Sequence, residues 1–161
     1  MKNQVREIVE DCLTNITSDE LSVLTELLRG FQKKQRKLNN SYVGGLLQME
    51  RTMTNEFCEL TIPITPLLYN SFDIVHGGIT ATIIDTAMGV FANSLLPDGY
   101  GAVTTQLNIH YLAVGKGDFL QCKAHLDHKG TKTMVLSANV YRSDGKKIAH
   151  ATGSFFIIWN K

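Results

Sequence analysis

His76-Gly77-Gly78-Ile79-Thr80-Ala81-Thr82-Ile83-Ile84-Asp85-Thr86-Ala87-Met88-Gly89-Val90-Phe91-Ala92 is the stretch that decides how the rest of the chain is read. Wound at about 3.6 residues per turn, it has no polar side and predicts a helix buried all round. Asp85 is the only charged side chain between His76 and Asp98. On this winding it shares a face with Ala81, Met88 and Ala92, so nothing polar is left to solvate it. A carboxylate in such surroundings is costly unless a partner or a function holds it there. Two readings follow: a buried capping or ion-paired Asp, or a catalytic carboxylate.

The residues just upstream favour the second. Gly77 and Gly78 allow a tight turn and leave backbone N–H groups uncovered by side chains. At a helix start those donors and the helix dipole favour negative charge, which makes a place for an oxyanion. Asn70, in a Tyr69-Asn70-Ser71 loop, adds an amide able to donate to a carbonyl. Singly these residues say little, since Asn is common in loops and His-Gly-Gly is often only a turn. Their combination with Asp85 is specific.

Asn70, His76-Gly77-Gly78, the Ile79-Thr80-Ala81-Thr82 segment and Asp85 resemble the motif of hotdog-fold acyl-CoA thioesterases of the phenylacetate-pathway type. The resemblance covers roughly residues 42–159. It implies a long central helix wrapped by an antiparallel sheet and an active site at a subunit interface, but not the acyl group, because this fold hosts several chemistries. It also implies that Thr104 supplies a hydroxyl near the carboxylate. In similar thioesterases the turn matching Lys129-Gly130-Thr131-Lys132 often contacts the nucleotide part of coenzyme A. An ordinary polar hairpin turn is the alternative there.

Length and charge are consistent with this. At 161 residues the chain holds one well-cored domain and not two ordinary ones. A net charge of +1 gives no reason to expect nucleic acid or membrane binding. No apolar run reaches membrane-spanning length, and Met1-Lys2-Asn3-Gln4 lacks the apolar core of a signal peptide, so a cytoplasmic protein is expected. Cys12, Cys58 and Cys122 are odd in number and lack metal-ligand spacing, which argues against a disulfide framework or a metal site.

Along the chain, Val5, Ile8, Val9, Cys12, Leu13 and Ile16 mark a short amphipathic helix. Thr17 with Glu20 reads as a capping box for a second helix carrying Leu21, Leu24, Leu27, Leu28 and Phe31. Its basic end, Lys33-Lys34-Gln35-Arg36-Lys37, suits a solvated helix C-terminus better than a phosphate site. Residues 1–40 are thus expected to form a helical extension and 41–161 the hotdog domain. Beyond Asn39-Asn40-Ser41 the period becomes two, from Leu46 to Met53 and again from Cys58 to Ile64, with a hairpin at Asn55-Glu56. Pro97-Asp98-Gly99 stops the central helix. Alternating segments follow near 102–112, 118–128, 132–142 and 147–159, separated by Gly-containing turns. One buried helix followed by a meander of strands is an α+β arrangement with the helix packed on an antiparallel sheet. In the first of these segments, Val103, Thr105, Leu107, Ile109 and Tyr111 take one face, and Thr104, Gln106, Asn108 and His110 the other.

For thioester hydrolysis, the site requires an activated water or a nucleophile and donors for the carbonyl oxygen. Asp85 supplies the first, and the Gly77 N–H, with Asn70, the second; His76 joins the catalytic set, Gly78 is expected to bind substrate, and Met88 and apolar neighbours are expected to line the acyl pocket. No cofactor is required beyond the coenzyme A of the substrate. Gly77 and Asp85 lie eight residues apart, about 12 Å along a helix, too far to act on one carbonyl carbon. The two groups of one site should therefore come from different subunits, in a homodimer or homotetramer. Two other functions compete: acyl-thioester hydration or dehydration, whose usual signatures are absent, and a non-catalytic acyl-CoA-sensing domain.

Overall fold

The computed structural model describes residues 1–38 and 41–159. Asn39 and Asn40, where the helical extension was expected to end, lie outside the described residues. Two compact units divide between Gln48 and Met49.

The first unit begins with α1, Lys2–Leu13, which buries none of its residues. Helix α2, Ser18–Gln35, starts on the capping box legible in the sequence. The Thr17 hydroxyl accepts the Glu20 N–H at 3.3 Å, and the Glu20 carboxylate accepts the Thr17 N–H at 2.9 Å. Two of the donors at the helix entrance are thereby satisfied reciprocally. Asp19 and Glu20 in the first turn, and Lys33 and Lys34 in the last, complement the dipole. A short helix α3, Tyr42–Leu46, is capped by the Ser41 hydroxyl, which accepts the Gly44 N–H at 2.9 Å. Here the alternation expected from Leu46 onward fails, since the strand starts only at Glu50. Gly30 of α2 and Gly45 of α3 pack backbone to backbone, so that a Cβ on either would sit 2.5 Å from the other's carbonyl oxygen.

In the second unit, among the described residues, six strands form one antiparallel sheet. They are β1 (Glu50–Met53), β2 (Phe57–Pro63), β3 (Tyr100–Tyr111), β4 (Phe119–Lys129), β5 (Thr133–Arg142) and β6 (Lys147–Trp159). Their spatial order is β1-β2-β4-β5-β6-β3. Helix α4, Gly77–Ser94, follows β2 and lies on one face of the sheet, touching β2 through β6. This is the hotdog arrangement. Alternate residues of the strands, among them Leu60, Ile62, Leu120, Leu136 and Phe155, are buried against Ile83, Ile84, Ala87, Met88 and Phe91 of the helix. Each large apolar side chain so buried contributes about 1.5–3 kcal/mol. Small residues at Ala124, Ala138, Ala151 and Gly153 let the helix come close. A Cβ at Gly153 would lie 2.9 Å from the Met88 sulfur.

One irregularity matters for the site. On β3, Thr104 pairs with Phe155 and Gln106 with Ser154, so Thr105 is an extra, bulged residue. A bulge shifts the alternation by one. Directly paired residues share a face, so Thr104 (opposite Phe155), Leu107 (opposite Gly153), Ile109 (opposite Ala151) and Tyr111 (opposite Ala149) all face α4. The sequence alternation, assuming a regular strand, set Thr104 with Gln106, Asn108 and His110 instead. That grouping is wrong for Thr104.

Candidate active site

At the start of α4 the donors of the first turn can be accounted for one by one. His76 is the N-cap residue, and its Nδ1 accepts the Gly78 N–H at 2.8 Å. The N–H groups of Ile79 and Thr80 donate back to the His76 carbonyl at 2.9 and 3.3 Å. Gly77 N–H alone has no acceptor among the described residues. Gly77 lines a cleft with Asn70, Thr80, Tyr111, Val114 and Ile148. The Asn70 loop is built to hold its shape. Its Oδ1 accepts the Phe72 N–H at 2.9 Å, its own N–H donates to the Ile74 carbonyl at 2.9 Å, and Tyr69 bridges Val75. With Oδ1 engaged in this way, the Asn70 amide N–H groups are left for the cleft. His76 is exposed and lines neither cleft, and a Cβ on Gly78 would lie 3.1 Å from the His76 Nδ1.

Two turns further along α4, the Asp85 carboxylate accepts a hydrogen bond from the Thr104 hydroxyl at 2.7 Å. Asp85 is half-buried and opens on a second cleft with Arg51, Met53, Thr86, Gly89, Val90 and Asn93. The expectation that α4 has no polar side is therefore incorrect. At about 100° per residue, Asp85 falls at the border of the buried face. Met88 and Ala92 turn inward from it, and Thr86, Gly89 and Asn93 turn outward. Met88 has no exposed surface and lines neither of these two clefts. Asn93 fixes the strand that carries Thr104: its Oδ1 accepts the Ala102 N–H at 3.0 Å while its amide donates to the Gly89 carbonyl at 2.6 Å. Sequence reasoning missed Asn93, because an Asn in the last turn of a helix reads only as a helix end.

Lys129, Gly130 and Lys132 are not brought to either cleft. Lys129 ends β4 and Gly130 and Lys132 lie in the β4–β5 turn, at the far end of α4, where Lys129 Nζ donates to the Leu95 carbonyl at 2.5 Å. A cation on the last carbonyls of a helix is a favourable cap. Gly130 N–H donates within its own turn to Thr133, and the Lys132 carbonyl accepts from Ile157.

The chain therefore carries a carboxylate with a hydroxyl partner on one cleft, and an unengaged backbone donor with an amide on another. Eight residues of helix separate them, about 12 Å. Among the described residues no group of three or more His, Cys, Asp or Glu is placed to hold a metal ion. No helix among them is long and apolar enough to cross a membrane.

Comparison with known proteins bears on what this arrangement does. The profile of the thioesterase superfamily matches residues 72–149, a span that holds α4, Thr104 and Tyr111 and leaves Asn70, Arg51 and Met53 outside. The chain is 29% identical to the acyl-coenzyme A thioesterase PaaI of Escherichia coli over 99 residues, 61% of this chain and 69% of that protein. It is 48% identical to a putative esterase of Halobacterium salinarum over 89 residues, 50% of this chain and 58% of that one. A Bacillus halodurans protein crystallised with CoA superposes with a TM-score of 0.88 at 39% identity, covering 94% of this chain and 99% of the other.

Proposed function

The chain belongs to the hotdog-fold thioesterase superfamily and is a thioester hydrolase; on that premise we propose that it hydrolyses acyl-coenzyme A at sites shared by two subunits. The observation that carries the mechanism is the Asp85–Thr104 pair. Asp85 is the sole acid of α4, one of its oxygens takes the Thr104 hydroxyl, and the carboxylate opens on a cleft. A carboxylate held in this way keeps a second oxygen for a water proton, or for direct attack on a carbonyl carbon.

In this reading the thioester carbonyl oxygen accepts the Gly77 N–H of one subunit, with the Asn70 amide beside it. Asp85 of the other subunit activates water or attacks. The new C–O bond forms as charge gathers on the carbonyl oxygen. The C–S bond then breaks and coenzyme A leaves as a thiolate. Where Asp85 has activated water, the proton it took passes to the thiolate and the free acid departs. Where Asp85 has itself attacked, a water then hydrolyses the acyl–Asp85 anhydride, releasing the acid, restoring the carboxylate and supplying the proton. Donors fixed in place before the reaction stabilise that charge without reorganising. The same-chain separation of Gly77 and Asp85, on different clefts, supports a second subunit. So does β3, a long edge strand with unpaired backbone groups beside Asp85's cleft. The relatives support the substrate class: one is an acyl-coenzyme A thioesterase and another was crystallised with CoA. Of the two turn lysines, Lys132 is the one left for coenzyme A phosphates, since Lys129 is held at the helix end.

A panel of short, long and aromatic acyl-CoA thioesters, assayed for free thiol, tests the proposal together with Asp85→Asn. The variant should lose at least ~10²-fold in kcat, the usual contribution of a general base, while its fold is unchanged. Wild-type turnover in Asp85→Asn would remove Asp85 from the mechanism.

A further inference from the structure

Tyr111 has no part in the reaction outlined above, yet it joins the sheet to the start of the helix at the point where the oxyanion donor sits. Its hydroxyl donates to the Gly77 carbonyl at 2.8 Å, and its ring packs over Gly77, where a Cβ would meet it at 3.4–3.5 Å. The Gly77 carbonyl belongs to the same peptide group as the Gly78 N–H. That N–H in turn donates to His76 Nδ1 at 2.8 Å. The three groups form one directional chain: Tyr111 hydroxyl, Gly77–Gly78 peptide, His76 imidazole.

We infer that Tyr111 is a positioning residue which, through the Gly77–Gly78 peptide, holds His76 in the tautomer protonated at Nε2 and fixes the first turn whose Gly77 N–H meets the substrate carbonyl. The physical argument has two links. Hydrogen bonds in series polarise one another, so a donor on the peptide oxygen makes the peptide N–H a better donor. A ring nitrogen that accepts carries no proton, so the proton of the neutral imidazole is on Nε2, which becomes an outward-facing donor. The hydroxyl also ties the first turn of α4 to the end of β3, which restrains rotation of the adjoining His76–Gly77 peptide.

The bulge at Thr105 is what makes this possible. Thr104 and Tyr111 are seven residues apart and would lie on opposite faces of a regular strand. With one extra residue between them both face α4, so a single strand holds Asp85 through Thr104 and the helix start through Tyr111. Tyr111 is half exposed and lines the Gly77 cleft, so core packing alone does not account for an aromatic side chain there.

This inference rests on the proposed role of the Gly77 N–H, and its test separates the two. Tyr111→Phe keeps the ring and removes the donor. Nitrogen-15 spectra of the imidazole rings should report His76 protonated at Nε2 in the wild-type protein and a mixture of tautomers in Tyr111→Phe. This measurement uses no substrate and no turnover. In acyl-CoA hydrolysis Tyr111→Phe should lower kcat about 3- to 10-fold, the worth of one hydrogen bond, with KM little changed. In a His76→Ala background the same substitution should cost less, because the chain is already broken. An unchanged His76 tautomer in Tyr111→Phe overturns the relay, even if Asp85→Asn is inactive. A shifted tautomer with wild-type kcat overturns the positioning role. Additive losses in the double variant do the same. If the tautomer shifts while Gly77→Val and Asp85→Asn both turn over normally, the proposed mechanism fails and the positioning role falls with it.

Discussion

Mixing two disabled variants of the chain tests the shared site most directly. One parent carries only Asp85→Asn and the other only Gly77→Val. The second change puts a branched side chain where a Cβ already touches the Tyr111 ring at 3.4–3.5 Å, so its outer carbons crowd the donor N–H or push the ring aside. Asp85 and Gly77 open on different clefts of one chain, about 12 Å apart along the helix. If each site draws one group from each subunit, a mixed dimer has one site with both defects and one with neither. Random pairing of equal amounts makes half the dimers mixed, so two nearly dead parents should recover about a quarter of wild-type activity when the sites act independently. Pairs of such dimers in a tetramer give the same fraction. The assay is thiol release from acyl-CoA after co-refolding differently tagged chains, with tandem affinity capture to prove mixing. Parental activity in captured mixed dimers would refute the interface argument, because a site built from one chain keeps a defect in every pairing.

Three further outcomes follow from particular contacts. Thr104→Val keeps the shape of the side chain but removes the 2.7 Å bond to Asp85; a hydrogen bond to a charged, half-exposed group should cost about tenfold in kcat with little change in melting temperature, and an unaltered kcat would leave Thr104 without a role. Gly30→Ala forces a Cβ to 2.5 Å from the Gly45 carbonyl oxygen and should destabilise the helical unit by about 1–3 kcal/mol, read as earlier loss of helical circular dichroism, with hydrolysis assayed alongside. Of the cysteines, Cys12 is exposed while burial pushes the thiols of Cys58 and Cys122 up, so a thiol reagent should label Cys12 alone in the native protein and the other two only on unfolding.

Much of this molecule was legible in the residues because the signals are local. A capping box needs only Thr17 and Glu20, three residues apart, and a helix start with open donors needs only His76-Gly77-Gly78. Alternation within β2, β4, β5 and β6 reflects one face of each strand buried against the helix, and that pattern is written residue by residue. Asp85 stood out because it is the one charge in its helix. What the chain alone could not decide depended on neighbours far away in sequence. The close approach of Gly45, in the helix at 42–46, to Gly30 is one such contact. Met88 is core because Gly153 leaves room for it. Which border of α4 Asp85 occupies depends on where the sheet covers the helix. The face that Thr104 and Tyr111 take depends on a single unpaired residue at 105, which a period of two cannot register. That bulge is a property of how β3 pairs with β6, so only the folded sheet could put Thr104 and Tyr111 on one strand face.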